Sequence, residues 1–297
     1  MEQKKLLVTG AAGLIGRAVY QKLASLNYSV IGVDNFSRPG SSNQKDIIDC
    51  DLLDFYKNYK NNFDIIFHFS AINGTSNFYS NPARVIENNI ESDLATFKFA
   101  KDNNSKIVYA SSSEVVSETK TVPTSEETDV VINDIHNPRW SYRLSKIVSE
   151  NYLVNSDLDY LIIRFFNVFS ADSRKGHFVH DIINKIKANN YTLIGADETR
   201  SFCYIDDAVN SLLEIFDKEK NKVINIGNDE EISIKEAADI ISQILFHKKV
   251  EWELINSRPG STLRRCPNVD KLRKIIPHYS PRKFSDSIKK IKRVLKI

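Results

Sequence analysis

The opening of the chain constrains its fold more than anything that follows: the apolar run LLVTG passes through Gly10, Ala11, Ala12, Gly13, Leu14, Ile15 and Gly16 straight into an amphipathic stretch. Glycines spaced in this way between a strand-like and a helix-like segment describe a tight strand-to-helix turn, the first corner of a βαβ unit. The alternation then continues. SVIGVD, DIIDC and FDIIFHFSA are short apolar runs, while Leu14 to Leu26 and Pro82 to about Lys101 carry helical periodicity. KIVYASSS, a helix from Tyr142 to about Asn155 and the run DYLIIRFFNVF come next. Near-continuous Ile, Val and Phe suits strands covered on both faces, so the pattern predicts an α/β fold built on a doubly wound parallel sheet. After Ser170 the periodicity breaks around Gly176, Gly195 and Pro259-Gly260, yet FCYIDDAVNSLLEIF and KVINIGN again resemble a helix and a strand of the main sheet. The expected organisation is a sheet domain over 1–169, with 203–228 returning to it, and a smaller C-terminal lobe over 170–202 and 229–297.

Composition narrows the function classes. A chain of 297 residues that is 41% hydrophobic and 27% charged has the make-up of a folded globular protein. Its formal charge is only +3, and much of the excess lies in KKIKRVLKI, which a solvated helix face explains without a nucleic-acid partner. No run approaches the roughly 18 apolar residues that a membrane span requires, and MEQKKLLVTG reads as a buried strand, not a signal peptide. Cys50, Cys203 and Cys266 are odd in number and lack metal-type spacing, which points to a reducing, cytoplasmic setting with no disulfide framework. No metal is expected: His68 sits in an apolar strand as a core histidine, and His177, His180 and Cys203 show no ligand spacing.

The glycine turn has a specific physical use. Without side chains, the backbone at Gly10, Gly13 and Gly16 can approach a pyrophosphate, whose charge is met by the N–H groups and dipole of a helix beginning at Leu14 and Ile15. The next strand ends at Asp34, 18 residues beyond Gly16, where a carboxylate accepts hydrogen bonds from the hydroxyls of an adenosine ribose. Such a carboxylate repels the extra phosphate of NADP, so NAD is the expected cofactor; Arg17 and Arg38 keep NADP open as the alternative.

Chemistry is suggested further along. Tyr142 and Lys146 stand at i and i+4 on one predicted helix, where an ammonium can stabilise a phenolate and bring a tyrosine down from its ordinary value of about 10. Ser111, Ser112 and Ser113 close a strand at the carboxyl edge, where parallel sheets bind ligands, and a hydroxyl there can pass a substrate proton to the tyrosine.

Taken in order, GAAGLIG, Asp34, SSSEVV, SYRLSK, IRFFNVF, TRSFCYIDD and VINIGN make the chain resemble, over nearly its whole length, the extended short-chain dehydrogenases that act on nucleotide sugars: epimerases, dehydratases and decarboxylases. The resemblance implies a Rossmann-type NAD-binding domain and a nucleotide-sugar-binding lobe. It implies oxidation of the sugar at carbon 4 to a 4-keto intermediate, with Ser112, Tyr142 and Lys146 as catalytic residues and Glu114 as an acid or base beside the ketone. Asn35, Asp51, Leu52, Ala71 and Asn89 join the cofactor-binding residues on the same ground, and Ser113, Asn167, Arg200 and Arg265 join Ser112 and Tyr142 at the substrate. Ser113 stands where the dehydratases carry an aspartate, and NPRWSYRLSK is similar to the matching segment of bacterial glucuronate decarboxylases. Val116-Ser117 replaces the usual Tyr-Gly, and the lobe is expected to be trimmed. A stand-alone 4-dehydrogenase that releases the keto sugar is the alternative reading, and a non-enzymatic NAD-binding scaffold a further one. The expected partners are a UDP-, GDP- or dTDP-linked sugar and a second copy of the chain, packed through the helices at 82–101 and 142–155.

Overall fold

In the computed structural model, residues 3–38, 44–60, 62–116, 120–173 and 176–296 are described. Chain order begins with β1 (Lys5–Thr9), α1 (Leu14–Ser25), β2 (Ser29–Asp34), β3 (Ile47–Asp49), α2 (Leu52–Asn58) and β4 (Ile65–His68). It continues through α3 (Thr75–Ser80), α4 (Pro82–Asn103), β5 (Lys106–Ser112), α5 (Trp140–Val154), β6 (Tyr160–Phe165), β7 (Val168–Phe169) and α6 (Phe178–Lys187). The remainder is β8 (Thr192–Ile194), β9 (Thr199–Ser201), β10 (Cys203–Tyr204), α7 (Ile205–Ile215), β11 (Lys222–Ile226), β12 (Glu231–Ser233), α8 (Ile234–Phe246), β13 (Glu253–Ile255), β14 (Arg264–Arg265), α9 (Asp270–Ile275) and α10 (Phe284–Leu295).

Seven strands form the main sheet in the order β11-β6-β5-β4-β1-β2-β3. The chain winds outward from β1 in both directions, so β1 and β4 flank the switch point where open α/β sheets bind ligands beyond their carboxyl ends. Local chemistry sets the helix boundaries. Pro82 occupies the first turn of α4, where a missing N–H costs nothing, and Asn104 ends that helix in the left-handed conformation at φ 54°. The strands β4 and β6 are buried at every position, their largely apolar runs each including one buried polar residue, His68 and Arg164. Leu7, Val33, Ile66, Phe97, Ile107 and Ile162 knit sheet and helices into one core cluster.

The chain divides into two compact units: 1–115, 138–164 and 209–224 form the first, and 116–137, 165–208 and 225–297 the second. This differs from the expected boundaries chiefly at 116–137, which had been placed with the sheet domain. The reason is backbone pairing within the second unit: the Thr124 N–H donates to the Cys266 carbonyl, and the Asn268 N–H donates to the Thr124 carbonyl. The Asn225 N–H also donates to the Glu126 carboxylate. The second unit contains a three-stranded sheet, β12-β9-β14, and the helix α8 packed against α6 and α10. No helix among the described residues is long and apolar enough to cross a membrane.

Candidate active site

The glycine turn has almost no room for side chains. Gly10 lies at φ +64°, and a Cβ there would fall 2.7 Å from the Phe69 carbonyl at the end of β4. At Gly16 a Cβ would lie 2.2 Å from the Gly10 carbonyl oxygen. Backbone therefore packs on backbone, and Gly13 begins α1 with no side-chain cap. The first N–H groups of an α-helix lack intrahelical partners, so the turn presents donors around Leu14 and Ile15 to an anion. Asp34 closes the other side: its Oδ2 accepts the Ala12 N–H at 2.9 Å and its Oδ1 the Phe36 N–H at 2.8 Å. A carboxylate held in this way retains lone pairs for ribose hydroxyls. The turn and the acid together fit NAD.

Around this turn the other expected cofactor residues divide by role. The Asp51 carboxylate caps α2 by accepting the Leu53 N–H at 3.0 Å, and the Asn35 amide reaches it at 3.4 Å. Leu52 is buried as the first residue of that helix. Asn89 clasps the Ile72 backbone, accepting its N–H at 2.7 Å and donating to its carbonyl at 3.2 Å, and also donates to Ser145 Oγ at 3.3 Å. It thereby pins the segment containing Ala71, which packs with Phe78, Val85 and Tyr142, against α5.

At the carboxyl end of β5, Ser112 Oγ accepts the Glu114 N–H at 3.2 Å, and its hydroxyl hydrogen-bonds with the Tyr142 phenol. Tyr142 is buried and stacks on Phe78. Burial pushes its phenol well above the ordinary value; the Ser112 hydrogen bond opposes this, while the charges of Glu114 and Asp93 add to it. Lys146, one helical turn on, faces the same buried layer. Its Nζ donates to Tyr109 Oη at 2.9 Å, stands 3.9 Å from the Asp93 carboxylate, and lies 5.9 Å from the centre of the Tyr142 ring. Ser111 points elsewhere, donating to Glu150, which in turn receives Arg164 at 2.7 Å.

Glu114, expected beside a ketone as an acid or base, is bracketed by guanidinium groups. Arg139 donates to its Oε1 at 3.1 Å and Arg143 to its Oε2 at 3.3 Å, with all three side chains buried. Arg143 also lies over the Trp140 ring at 4.1 Å. Ser113 is buried at the start of the single turn that carries Glu114. Ser117, where the sequence departs from its expected pattern, lies outside the described residues.

In the second unit, Arg200 and Arg265 occupy paired positions on the parallel strands β9 and β14 and are both buried. Arg200 is braced by Glu198 at 2.5 Å and by the Thr199 carbonyl, and Arg265 donates to Thr262 Oγ1 at 3.1 Å. Asn167, at φ 41°, donates its amide to the Ser201 carbonyl at 2.8 Å. Among the described residues no group of three or more His, Cys, Asp or Glu could hold a metal ion.

A family model described as "NAD dependent epimerase/dehydratase family" matches residues 6–227. The chain belongs to this family. Membership makes it an NAD-dependent enzyme of the epimerase/dehydratase class. It is 30% identical over 259 residues to a UDP-N-acetyl-alpha-D-glucosaminuronate decarboxylase of Bacillus cytotoxicus, covering 82% of this chain and 80% of that protein. It is also 30% identical over 293 residues to a putative UDP-glucose 4-epimerase of Methanocaldococcus jannaschii, covering 89% and 94%. Among solved structures, a UDP-glucuronic acid 4-epimerase from Bacillus cereus, in complex with UDP-glucuronic acid and NAD, superposes with a TM-score of 0.83 at 26% identity, over 98% of this chain and 99% of that one.

Sequence reading missed four residues of this family member's site region: Asp93, Arg139, Arg143 and Arg164. Arg139 and Arg143 were visible as an i, i+4 pair straddling Tyr142, and Asp93 as the polar residue four places after Asn89 on the same face of α4. Spacing marks such residues as neighbours. It does not reveal that the face they share is buried.

Proposed function

We propose that this enzyme oxidises a UDP-linked hexuronic acid at carbon 4 and that the resulting 4-keto sugar loses its carboxylate as carbon dioxide. The observation that carries the reading is the buried trio of Glu114, Arg139 and Arg143 adjoining Ser112 and Tyr142. Two guanidinium groups engage both oxygens of one carboxylate, so Glu114 is held as a hydrogen-bond acceptor within the trio. The same trio carries one net positive charge, suited to an anionic sugar. Ser113 in place of an aspartate argues against dehydration.

Bound NAD would supply the two-electron acceptor at carbon 4; the Gly10–Gly16 turn, with Leu14 and Ile15, would hold its pyrophosphate and Asp34 its adenosine ribose. The residues of the chain supply proton management. Ser112 receives the carbon 4 hydroxyl and passes its proton to Tyr142, while Lys146 provides positive charge within the same buried layer. A 4-ketouronate is a β-keto acid: when the bond between carbons 5 and 6 breaks, the electron pair is accommodated on the ketone as an enolate, and carbon 5 is then reprotonated. Arg200 and Arg265 pair with the diphosphate of the nucleotide, a role that planar guanidinium groups suit. Two copies of the chain pack through α4 and α5, whose outer faces expose Leu94, Val148 and Tyr152.

The test is a panel of UDP-glucuronate, UDP-galacturonate, UDP-N-acetylglucosaminuronate, UDP-glucose and UDP-N-acetylglucosamine, read by product mass and by the absorbance of reduced cofactor. Loss of carbon dioxide from a uronate supports the reading, with Tyr142→Phe slowing turnover by about 10²–10⁴-fold. A product of unchanged mass assigns a 4-epimerase instead, and loss of water a dehydratase. Accumulating reduced cofactor with a sugar two hydrogens lighter assigns a stand-alone dehydrogenase.

A further inference from the structure

Behind the Ser112–Tyr142 pair lies a row of polar groups that the chemistry above does not use. Thr9 of β1, His68 of β4 and Tyr109 of β5 are paired across three parallel strands, so their side chains emerge side by side on one face of the sheet. The helices α4 and α5 cover that face and contribute Asp93, Thr96, Lys146 and Ser149, all buried. Asp93 is the centre of the arrangement. His68 Nε2 donates to its Oδ1 at 2.8 Å, because a carboxylate can only accept. Tyr109 Oη and Ser149 Oγ donate to its Oδ2 at 2.5 and 2.6 Å. The Lys146 ammonium stands 3.9 Å from that same oxygen and donates to Tyr109 Oη at 2.9 Å. On the far side, His68 Nδ1 meets the Thr9 hydroxyl at 2.7 Å and Thr96 Oγ1 at 3.3 Å. Thr96 Oγ1 is in turn hydrogen-bonded to Tyr56 of α2 at 2.9 Å.

A fully buried carboxylate is costly to desolvate unless its donors are joined by a compensating cation. Lys146 is the cation within reach. We propose that Asp93 is a positioning residue for catalysis: it is the counter-ion that holds Lys146 in the layer between the sheet and α5, and so sets how much positive charge reaches Tyr142. The proposal deepens the functional reading above by assigning a control element to the same tyrosine–lysine pair.

The charged and titratable groups facing Asp93 are His68 from β4, Tyr109 from β5, Lys146, Glu150 and Tyr142 from α5, and Tyr56 from α2. Their directions agree with the geometry. Burial would raise the Asp93 carboxyl, but Lys146 and the hydrogen bonds of His68 and Ser149 outweigh it and hold it below the ordinary carboxylate value. Burial lowers Lys146, while Asp93 and then Glu150 sustain its charge. The Asp93 charge also adds to the upward push on Tyr142. Removing that charge therefore lowers Lys146.

The test needs no substrate and uses the whole protein as purified. Lysine labelled at Cε and tyrosine labelled at Cζ with carbon-13 are titrated by NMR, the Lys146 and Tyr142 signals being assigned by their loss in Lys146→Met and Tyr142→Phe. In Asp93→Asn the Lys146 midpoint should fall by about 1–3 pH units, the interval one buried partner charge at this range produces. In His68→Gln, which leaves the carboxylate charge in place, Lys146 should hold its midpoint even as thermal stability drops. If Asp93→Asn does not fold, the reciprocal arm decides: coupling is mutual, so in Lys146→Met the Asp93 carboxyl should rise by a similar interval. An unmoved Lys146 midpoint in a folded Asp93→Asn, or an unmoved Asp93 in Lys146→Met, overturns the proposal. Both results are independent of which sugar is turned over, so they separate this inference from the functional reading. With a substrate in hand, the alkaline limb of the kcat/KM profile should move to lower pH in Asp93→Asn, following the lysine.

Discussion

At the scale of single residues, absence of a side chain is as consequential as presence. Gly16 is the sharpest case, because a Cβ placed 2.2 Å from the Gly10 carbonyl oxygen meets backbone, which cannot swing aside as a side chain can. Gly16→Ala should therefore force β1 and α1 apart, costing about 1–3 kcal/mol as an overpacking substitution and weakening NAD binding. Urea unfolding and NAD titration together check this. An Ala variant of unchanged stability and affinity would mean that the turn has slack the packing does not show. Polar residues divide differently. Asp34 organises two backbone N–H groups beside the glycine turn, whereas Asp51, expected among the cofactor-binding residues, spends one carboxylate oxygen capping α2. The side-chain chemistry is identical and the backbone context decides.

At the scale of elements, helices are placed by their ends as much as by their faces. The α8 helix begins with Ser233-Ile234-Lys235-Glu236, and Ser233 Oγ accepts the Glu236 N–H at 3.0 Å. Ser233→Ala should lower the unfolding free energy by about 1 kcal/mol, read from urea midpoints, while NAD affinity stays constant because the cap lies in the second unit. A change in NAD affinity would contradict the assignment of cofactor binding to the first unit. The α4 and α5 pair illustrates the complementary case: their inner faces carry Asn89, Asp93, Lys146 and Ser149 into a buried polar layer, and their outer faces expose Leu94, Val148 and Tyr152. A single helix pair thus serves a site on one side and a proposed subunit contact on the other.

At the scale of the whole molecule, buried charge links folding to pH. The Asp93 carboxyl is held below its ordinary value in the folded state, so its contribution to stability is present above the unfolded value of about 3.9 and is lost as pH falls through the folded one. The wild-type protein should accordingly lose stability steeply below about pH 4, and Asp93→Asn should show a shallower slope there, measured as urea midpoint against pH. Equal slopes would place the acid sensitivity in other carboxylates.

The motifs that recur by spacing were legible without coordinates. The strands β1, β2, β4, β5 and β6, the helices α1 and α4 and the glycine turn follow from local pattern, which backbone geometry imposes on any chain with these elements, while the choice of Ser112, Tyr142 and Lys146 rested on the family resemblance. Partnership was not legible. The sequence placed Lys146 one helical turn from Tyr142, but only the packed layer shows Tyr109 and Asp93 competing for its ammonium. Glu114 read as an acid or base, but nothing in the spacing shows Arg139 and Arg143 hydrogen-bonded to it. The segment 116–137 likewise joined the second unit through hydrogen bonds to residues more than a hundred positions away. Periodicity is a property of neighbours along the chain, so sequence alone determined the elements and their order. The charge a buried group experiences is a sum over neighbours in space, and that only the tertiary structure decided.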